Sequence, residues 1–278
     1  MGTQIGSDNA SGDSVKQLDM QCNDIMKKAL YKCSCVHKMV SEEDPNIMRV
    51  NIDGEYFVAF DPLDGSSNID SNISVGTIFC VFRYNKNGDI HSGRQIVMSG
   101  YSVYGGCTLL VVCIEGNVQM FGLNPDTNEW ELLESEYKMK QSGPIYALNE
   151  SNKYKYNNAV NKYADALIKK GYTSRWVGSL VADVHRTLIK GGVVLYPDNT
   201  KYPNGRIRLL YEAYPMAYVM EYAGGYSFDG KENMLDLSFP WNDIHKKIPI
   251  YYGSNHEMTL LKHYLKNSVV DSSAHRAK

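Results

Sequence analysis

Apolar residues recur along the first part of the chain at two spacings, one typical of a helix and the other of strands. Within 14–30 they recur every three or four positions, which predicts an amphipathic helix with Asp13 at its N-cap. This stripe consists of Val15, Leu18, Cys22, Ile25 and Ala29. Runs rich in β-branched and aromatic residues predict strands at 56–60 and 76–83, and a strand pair at 106–116 and 117–123.

The second half of the chain alternates between strand-like and helix-like segments. Strands are predicted at 144–150, 191–197, 206–212 and 248–254, and helices at 157–171, 179–192 and 215–225. In the first of these helices we expect Gly171 at the C-terminal cap and five inward side chains, those of Val160, Tyr163, Ala164, Leu167 and Ile168.

A polar stretch at 124–142 separates the two halves, so we expect one domain at 1–137 and a second at 138–278. Alternating strands and helices predict an α/β or mixed α+β sandwich, in which helices cover the faces of sheets. The pattern does not specify whether neighbouring strands are parallel or antiparallel.

Composition excludes several classes of partner. The formal net charge of the 278 residues is −2, so nothing predicts binding to nucleic acid. No apolar window is long enough to span a membrane, and the first residues lack a secretory signal pattern. Six cysteines without a CxxC pair indicate ordinary thiols and a cytoplasmic protein, although Cys33 and Cys35 also suit a metal pair or a disulfide.

The stretch FDPLDGSSNID, at 60–70, ends an apolar strand in carboxylates. Its proline and glycine favour a tight turn that can direct Asp61, Asp64 and the carbonyl of Leu63 at one point. Such hard oxygen ligands suit Mg²⁺ or Mn²⁺. The Gly-Ser-Ser that follows can hold an anion if a helical turn begins there. The alternative is a surface turn rich in aspartate.

Further carboxylates favour the metal interpretation. Glu42 and Glu43 follow an apolar approach, Asp13 and Asp19 lie near the start of the first predicted helix, and Glu212 ends the apolar run RLLYE. Each alone is typical of a solvated surface. If they cluster with the turn, their repulsion requires cations, and a multi-metal phosphoryl-transfer site provides them.

Basic residues in the second half complement this acidic group. The stretch KYPNGRIR contains Lys201, Arg206 and Arg208, and strand alternation predicts that the two arginines share one face of a strand ending at Glu212. Arginine forks suit phosphate oxygens, although a charged edge strand is the alternative. His185 is interpreted as a core or surface histidine of a helix rather than a metal ligand.

With these residues in view, the chain resembles the class I fructose-1,6-bisphosphatase family. The resemblance runs from about residue 6 to the C-terminus, through the blocks GDSVKQLD, VSEED, FDPLDGSSNID, SVGTIF, GSLVADVHRTL and PNGRIRLLYEAYPMAYVMEYAGG. It implies the layered α/β/α/β/α sandwich of the sugar phosphatase superfamily. It also implies Mg²⁺-dependent removal of the 1-phosphate from a sugar bisphosphate, and a C-terminal half that binds the substrate.

The resemblance also implies the roles of individual residues. The metal site is matched by Asp13, Glu42, Asp61, the Leu63 carbonyl, Asp64 and Glu212. The pair that polarises the attacking water is matched by Asp19 and Glu43. Contacts to the 1-phosphate are matched by Gly65, Ser66, Ser67 and Arg208. Contacts to the sugar and its 6-phosphate are matched by Asn149, Tyr196, Lys201 and Arg206. Arg175 matches an arginine that reaches a neighbouring subunit's site, which implies a homo-oligomer, either a dimer or a tetramer.

Four positions depart from the family pattern around the expected sugar pocket, namely Asn152, Trp176, Leu180 and Arg206. They leave the substrate open between fructose 1,6-bisphosphate and sedoheptulose 1,7-bisphosphate. An inositol phosphatase is disfavoured by the basic cluster. A catalytically inactive regulatory homologue would lack at least one of the seven acidic side chains, and all seven are present.

The resemblance bears on regulation as well. Members of the family carry an AMP site built mostly by two helices that precede the block matched here by 6–19, so the N-terminal half is expected to lack them. Tyr56 and Arg83 match remaining pocket positions, and Glu55 stands where the family has lysine. A carboxylate repels the AMP phosphate. We therefore expect an enzyme insensitive to AMP.

Overall fold

The computed structural model of the protein describes residues 8–84 and 90–274, and within these ranges it describes side chains from 17 to 267. The first half forms one long helix and a run of strands, with the bounds α1 Asp8–Tyr31, β1 Val36–Ser41, β2 Met48–Arg49, β3 Tyr56–Asp64, β4 Val75–Arg83, β5 Ile96–Tyr104, β6 Thr108–Ile114, β7 Asn117–Leu123 and β8 Trp130–Glu134. These strands make a sheet in the order β2-β1-β3-β4-β5-β6-β7-β8. The pair β1/β3 is parallel, and the other neighbouring pairs are antiparallel.

The second half alternates strands and helices, with the bounds β9 Ile145–Leu148, α2 Asn158–Lys169, β10 Thr173–Ser174, α3 Leu180–Lys190, β11 Val193–Tyr196, β12 Ile207–Arg208, α4 Tyr214–Tyr222, β13 Tyr226–Phe228, β14 Lys247–Ile248, β15 Ile250–Gly253 and α5 Asn255–Ala274. A second sheet has the order β10-β9-β11-β15-β13, and β12 pairs with β14 in a short ribbon. A π-helical turn, Leu209–Ala213, leads into α4.

Side-chain alternation along the strands explains the layers. Phe57 and Ala59 of β3 belong to the large central core with α3 and α4, whereas Val58 and Phe60 face a separate cluster that includes Met26 of α1. In the second sheet, β9, β11 and β15 likewise divide their side chains between that central core and a cluster with α2 and α5. The predicted α/β/α/β/α sandwich is therefore confirmed, with α3 and α4 between the two sheets.

The prediction for α1 was wrong in two respects. The helix begins at Asp8, so Asp13 lies inside it and is not the N-cap. Of the predicted apolar stripe, Leu18 is 37% exposed and Ile25 is 66% exposed. The face that packs on the sheet instead carries Met26 and Leu30, which contact the cluster formed by β1 and β3.

Two predictions in the second half also need correction. Ile168 of α2 is 47% exposed, so it does not belong to the inward face. The run 206–212 is not one strand, since β12 covers only Ile207–Arg208 before the π-helical turn. An unbroken apolar run does not distinguish a buried strand from a buried helical turn. No helix among the described residues meets the length and apolarity that a membrane crossing requires.

Candidate active site

The parallel pairing of β1 with β3 places the first two carboxylates side by side. Ser41 of β1 is in register with Phe60 of β3, and the amide of Glu42 donates to the carbonyl of Phe60 at 3.1 Å. Glu42 directly follows β1 and Asp61 directly follows Phe60 within β3, so the parallel register places the two residues side by side where β1 ends. The acidic site therefore begins at an edge that the sequence pattern did not reveal.

A β-bulge in β3 brings Asp64 to the same side. Asp61 is in register with Ile78 of β4, whereas Asp64 is in register with Gly76, so β3 contains one extra residue between them. Residues three apart in a regular strand face opposite sides, and a bulge changes the direction of the side chains that follow it. The amide of Leu63 donates to Asp61 Oδ1 at 2.9 Å and stabilises the distorted segment.

Glu212 completes the group from the other half of the chain. It lies in the π-helical turn before α4, and its carboxylate accepts a hydrogen bond from the amide of Arg208. Oxygen atoms of Glu42, Asp61 and Glu212 lie within 4.8 Å of one another, close enough to share one ion. This all-oxygen donor set fits a hard divalent cation such as Mg²⁺ or Mn²⁺.

These carboxylates are the floor of a cavity of about 340 Å³ between the two halves of the chain. The lining residues that the sequence predicted are Glu42, Glu43, Asp61, Leu63, Asp64, Gly65, Ser66, Ser67, Asn149, Tyr196, Arg206 and Glu212. The wall also contains Trp176, Gly178, Leu180 and Ile207. The site thus joins the acidic sheet edge of the first half to aromatic and basic groups of the second.

Burial and mutual repulsion alter the acidity of this group. The pKa of Asp61 is raised well above its usual value, first by burial and then by the charges of Glu42, Asp64 and Glu212. Burial and the same kind of repulsion also raise the pKa of Glu212. The pKa of Asp64 is raised to about 7 by burial, although a hydrogen bond from the Val181 amide opposes the shift. A bound cation would remove the repulsion.

The first turn of α3 packs directly on the segment that follows Asp64. The amide of Val181 donates to Asp64 Oδ2 at 2.7 Å. Gly65 has φ +80°, and a Cβ at this position would lie 2.6 Å from Ser179 Oγ. Glycine is therefore required at position 65, both by the backbone conformation and by the close approach of Ser179. The 3₁₀ turn Ser66–Asn68 follows, so the helical turn expected after the glycine is present.

Of the buried polar atoms without a hydrogen-bond partner among the described atoms, three belong to this turn or to segments next to cavity-lining residues. They are Asn68 Nδ2, Ser179 Oγ and Arg208 Nε. Buried donors are rarely left unpaired in folded proteins. None of the three residues lines the cavity itself, so these atoms show unmet hydrogen-bonding capacity next to it and not a ligand contact.

The remaining predicted residues occupy different places. Burial raises the pKa of Asp19, a hydrogen bond with Ser66 opposes the shift, and the charge of Glu42 raises it further. Asp19 is therefore next to the acidic group. The Arg208 guanidinium lies 3.9 Å from the Glu42 carboxylate. The side chain of Asp13 lies outside the described residues.

Two predicted basic contacts do not line the cavity within one chain. Arg175 is exposed, and its guanidinium donates to the carbonyl of Ser174. The Lys201 ammonium lies 5.2 Å from the centre of the Tyr202 ring, on which Arg206 also lies at 5.0 Å. Lys201 and Arg206 thus form a basic group around one tyrosine, and only Arg206 belongs to the cavity wall.

Sequence reasoning gave no role to Asp183, which is fully buried beside the cavity wall. The available indication was a carboxylate in the first turn of a helix that is otherwise apolar on its inner face. Burial of such a group requires several hydrogen-bond donors, and the sequence alone did not show which donors would reach it.

The raised carboxylate pKa values predict an effect of pH on stability in the absence of metal. A carboxyl whose pKa is higher in the folded than in the unfolded chain stabilises the fold at low pH and loses this contribution as pH rises. Glu212→Gln should therefore raise the Tm in EDTA by a few degrees at pH 7.5 and by less at pH 5, because the raised pKa of Glu212 makes its ionisation in the folded chain more costly as pH rises. Thermal unfolding of both proteins at both pH values measures this.

The comparison between variant and native chain is necessary because His185 changes the stability of the fold with pH in the opposite direction. Burial lowers the pKa of His185 to about 4, so its contribution to stability is lost as pH falls. This contribution is common to both proteins. An equal change of Tm at the two pH values would contradict the repulsion inferred for Glu212.

Comparison with known proteins gives concordant matches for the two halves of the chain. Residues 1–135 match the family model described as fructose-1-6-bisphosphatase, N-terminal domain, and residues 139–266 match the model of the C-terminal domain. A class 1 fructose-1,6-bisphosphatase of Sulfurihydrogenibium sp. (strain YO3AOP1) is 43% identical over 269 residues, which is 94% of this chain and 82% of the relative.

Relatives from animals and a solved structure agree with this match. Fructose-1,6-bisphosphatase 1 of Bos taurus is 42% identical over 95% of this chain and 81% of its own length. The crystal structure of Leishmania major fructose-1,6-bisphosphatase in holo form superposes with a TM-score of 0.85 at 35% identity, covering 89% of this chain and 82% of that chain. With both domain models matched in order and the acidic cavity between them, the chain belongs to the fructose-1,6-bisphosphatase family.

Proposed function

We propose that this protein hydrolyses the 1-phosphate of fructose 1,6-bisphosphate and releases fructose 6-phosphate and inorganic phosphate, a step of gluconeogenesis. The observation that carries this proposal is the shared cavity, in which Glu42, Asp61 and Glu212 approach within 4.8 Å of one another opposite a wall with Arg206. A phosphoric monoester hydrolase needs a cation site at the reacting phosphate, and selection of a bisphosphate needs basic groups farther along the substrate.

The metal ligands in this proposal are Glu42, Asp61, Asp64, Glu212 and the carbonyl of Leu63. We propose Mg²⁺ as the ion, with Mn²⁺ as the alternative, because both prefer oxygen donors. When bound, such a cation neutralises charge on the phosphoryl group. The need is large, since hydrolysis of phosphate monoesters in water is slow enough to require acceleration by up to ~10²¹.

The chain itself supplies the groups that handle water and the phosphate. Glu43 and Asp19 flank the acidic floor and are assigned to orient a water molecule and to accept its proton during attack on phosphorus. The segment Gly65, Ser66, Ser67 is assigned to the 1-phosphate, with Arg208 beside it. Asp13 is retained as a further metal contact on the basis of the family pattern.

The sugar and its second phosphate are assigned to the opposite wall, formed by Asn149, Tyr196, Arg206 and the nearby Lys201. The test is a measurement of kcat/KM for fructose 1,6-bisphosphate and for sedoheptulose 1,7-bisphosphate with Mg²⁺. The proposal expects fructose 1,6-bisphosphate to be preferred by about tenfold or more, the discrimination that one or two kcal/mol provides. A reversed preference would make the chain a sedoheptulose-1,7-bisphosphatase, and no hydrolysis of either would favour an inactive homologue.

We further propose a homo-oligomer, a dimer or a tetramer, in which Arg175 serves a neighbouring cavity. Arg175 is exposed and does not line the cavity of its own chain. If so, mixing inactive Asp61→Asn chains with inactive Arg175→Ala chains should restore part of the activity, because some sites would then combine a native Asp61 with a native Arg175. Absence of recovery after subunit exchange, verified by native mass spectrometry, would reject the role in a neighbour's site.

The proposed location is the cytoplasm, in line with a relative from Brassica napus that is named as cytosolic and is 40% identical over 92% of this chain. Fractionation of cells with an antibody to the chain tests this location. We also retain the proposed division into domains at 1–137 and 138–278, with Glu42, Asp61 and Asp64 of the metal floor in the first and Glu212 and the substrate wall in the second. Limited proteolysis that cleaves first near 124–142 would support it, and early cleavage elsewhere would not.

A further inference from the structure

Asp183 in the first turn of α3 is fully buried and accepts four different donors. Its Oδ1 accepts from the amide of Val177 at 3.0 Å and from the Arg186 guanidinium at 2.6 Å. Its Oδ2 accepts from the amide of Gly178 at 3.0 Å and from the Tyr196 hydroxyl at 3.0 Å. These four bonds occupy the accepting capacity of a carboxylate.

Two partners of Asp183, Gly178 and Tyr196, line the cavity, whereas Val177 and Arg186 do not. Arg186 also donates to the carbonyl of Arg175, so the backbone of 175–178 is held at its first carbonyl and at its last two amides. Between these points lies Trp176, whose ring centre is 4.5 Å from that of Tyr196. Trp176 and Tyr196 line the cavity, whereas Asp183 does not.

The same helical turn also contacts the metal floor. The amide of Val181 binds Asp64, and two positions later Asp183 binds the opposite wall. The distance between the floor and the Trp176–Tyr196 pair is therefore set within one rigid turn of α3. A cap that only stabilised this helix would need one or two hydrogen bonds to its own first amides, but Asp183 binds a loop and a tyrosine of another element instead.

We propose that Asp183 is the positioning residue that fixes Trp176, Tyr196 and segment 175–178 as the sugar-facing wall, and that it thereby determines the preference for a phosphorylated ketose over a phosphate ester without a sugar. This inference rests on the proposed function. Asp183 acts through its partners and does not touch the reacting atoms. Its loss should therefore impair recognition of the sugar while the acidic floor keeps its chemistry.

Asp183→Asn tests the proposal with almost no change in side-chain volume. Asparagine has one accepting oxygen where aspartate has two. Its NH₂ group would face the donors that now bind the second oxygen, and donors cannot bond to one another. Loss of hydrogen bonds to a buried charged group predicts that KM for fructose 1,6-bisphosphate rises about 10- to 100-fold. The kcat, and the hydrolysis of p-nitrophenyl phosphate, which has no sugar, should change by less than about threefold.

Two further variants separate positioning from general destabilisation. Asp236→Asn removes the charge of an exposed aspartate that binds Arg94, and it should leave both substrates unaffected. Arg186→Lys weakens one of the four bonds at Asp183 from a residue that does not line the cavity, and it should raise KM for the bisphosphate less than Asp183→Asn does. The double variant should show less than the sum of the two effects, because both changes affect the same bond. A folded Asp183→Asn protein with unchanged KM, or with equal losses on both substrates, would overturn the proposal.

Fluorescence quenching tests the position of Trp176 without a measurement of activity. In a Trp130→Phe background, which removes the exposed tryptophan, acrylamide quenching of fluorescence should increase in Asp183→Asn because Trp176 loses its fixed position. If the native protein fails to hydrolyse fructose 1,6-bisphosphate, the proposed function is wrong, and unchanged quenching would still overturn the positioning role independently. If Asp183→Asn does not fold, Arg186→Lys decides by the same two measurements, and no change in either would reject the inference.

Discussion

Asp61→Asn is expected to lower kcat by about a thousandfold or more in saturating Mg²⁺ while the protein stays folded. Asp61 contributes to the group of carboxylate oxygens within 4.8 Å of one another, so the substitution removes one charge from the proposed cation site. A bound cation stabilises charge in the transition state by several kcal/mol, and each 1.36 kcal/mol corresponds to about tenfold in rate. Steady-state kinetics over a range of Mg²⁺ concentrations measures the effect.

Stability should respond to Asp61→Asn in the opposite direction. Burial, and then repulsion by neighbouring carboxylates, raises the pKa of Asp61, so a neutral side chain removes an unfavourable charge from the metal-free protein. The Tm in EDTA should therefore be unchanged or higher. The control is Asp53→Asn, an exposed residue of the β2–β3 loop, which should be active. More than about a tenth of native kcat in Asp61→Asn would exclude Asp61 as a metal ligand.

Glu43→Gln is expected to lower kcat about 10²- to 10⁴-fold, the usual contribution of a general base. Glu43 lines the cavity next to Glu42, and its amide is held by a hydrogen bond to Ser41 Oγ at 3.2 Å. Glutamine keeps the shape of the side chain but cannot accept a proton from water. The KM should stay within about threefold of native, since the base acts mainly in the transition state.

The pH profile distinguishes a base from a structural carboxylate at position 43. Loss of the base should remove the rise of kcat with pH on the acidic side, which a structural defect would leave in place. Glu129→Gln, in an exposed turn, is the matched control and should behave as the native protein. An effect of Glu43→Gln confined to KM would assign Glu43 to substrate binding.

The acidic floor was largely predictable because its residues are adjacent in sequence to the ends of apolar segments. Asp61 and Glu42 follow strands whose composition indicated burial, and carboxylates at strand ends are a local pattern. Only one feature of the sequence suggested that Glu212 would join Glu42 and Asp61, namely its place at the end of another apolar run. The π-helical turn that actually holds Glu212 was not predictable, because an apolar run carries no period over five residues.

The packing face of α1 shows a different limit of sequence analysis. Spacing of apolar residues predicts that a helix has an inner face, but the sheet it meets decides which face that is. Here Asn23 is fully buried. Its side chain donates to Asp44 at 2.9 Å and accepts from Ser41 at 2.8 Å, which compensates for the loss of contact with water. Polar contacts of this kind orient α1 so that Ile25 faces away from the sheet. Partners distant in sequence set this choice, and the pattern within the helix does not contain them.

Because β3 contains a bulge, the number of residues between Asp61 and Asp64 determines which oxygen atoms face the cavity. Deleting one of the two intervening residues would leave an i, i+2 spacing, which in a regular strand already places both carboxylates on one side. Such a chain would keep both carboxylates on one side but lose the bulge, and with it the present direction of the backbone at Leu63. Substitution between the two aspartates alters only side chains, whereas insertion or deletion changes how many oxygen atoms the backbone can offer. Tolerance to changes of length at this point is therefore a separate property from tolerance to changes of residue type.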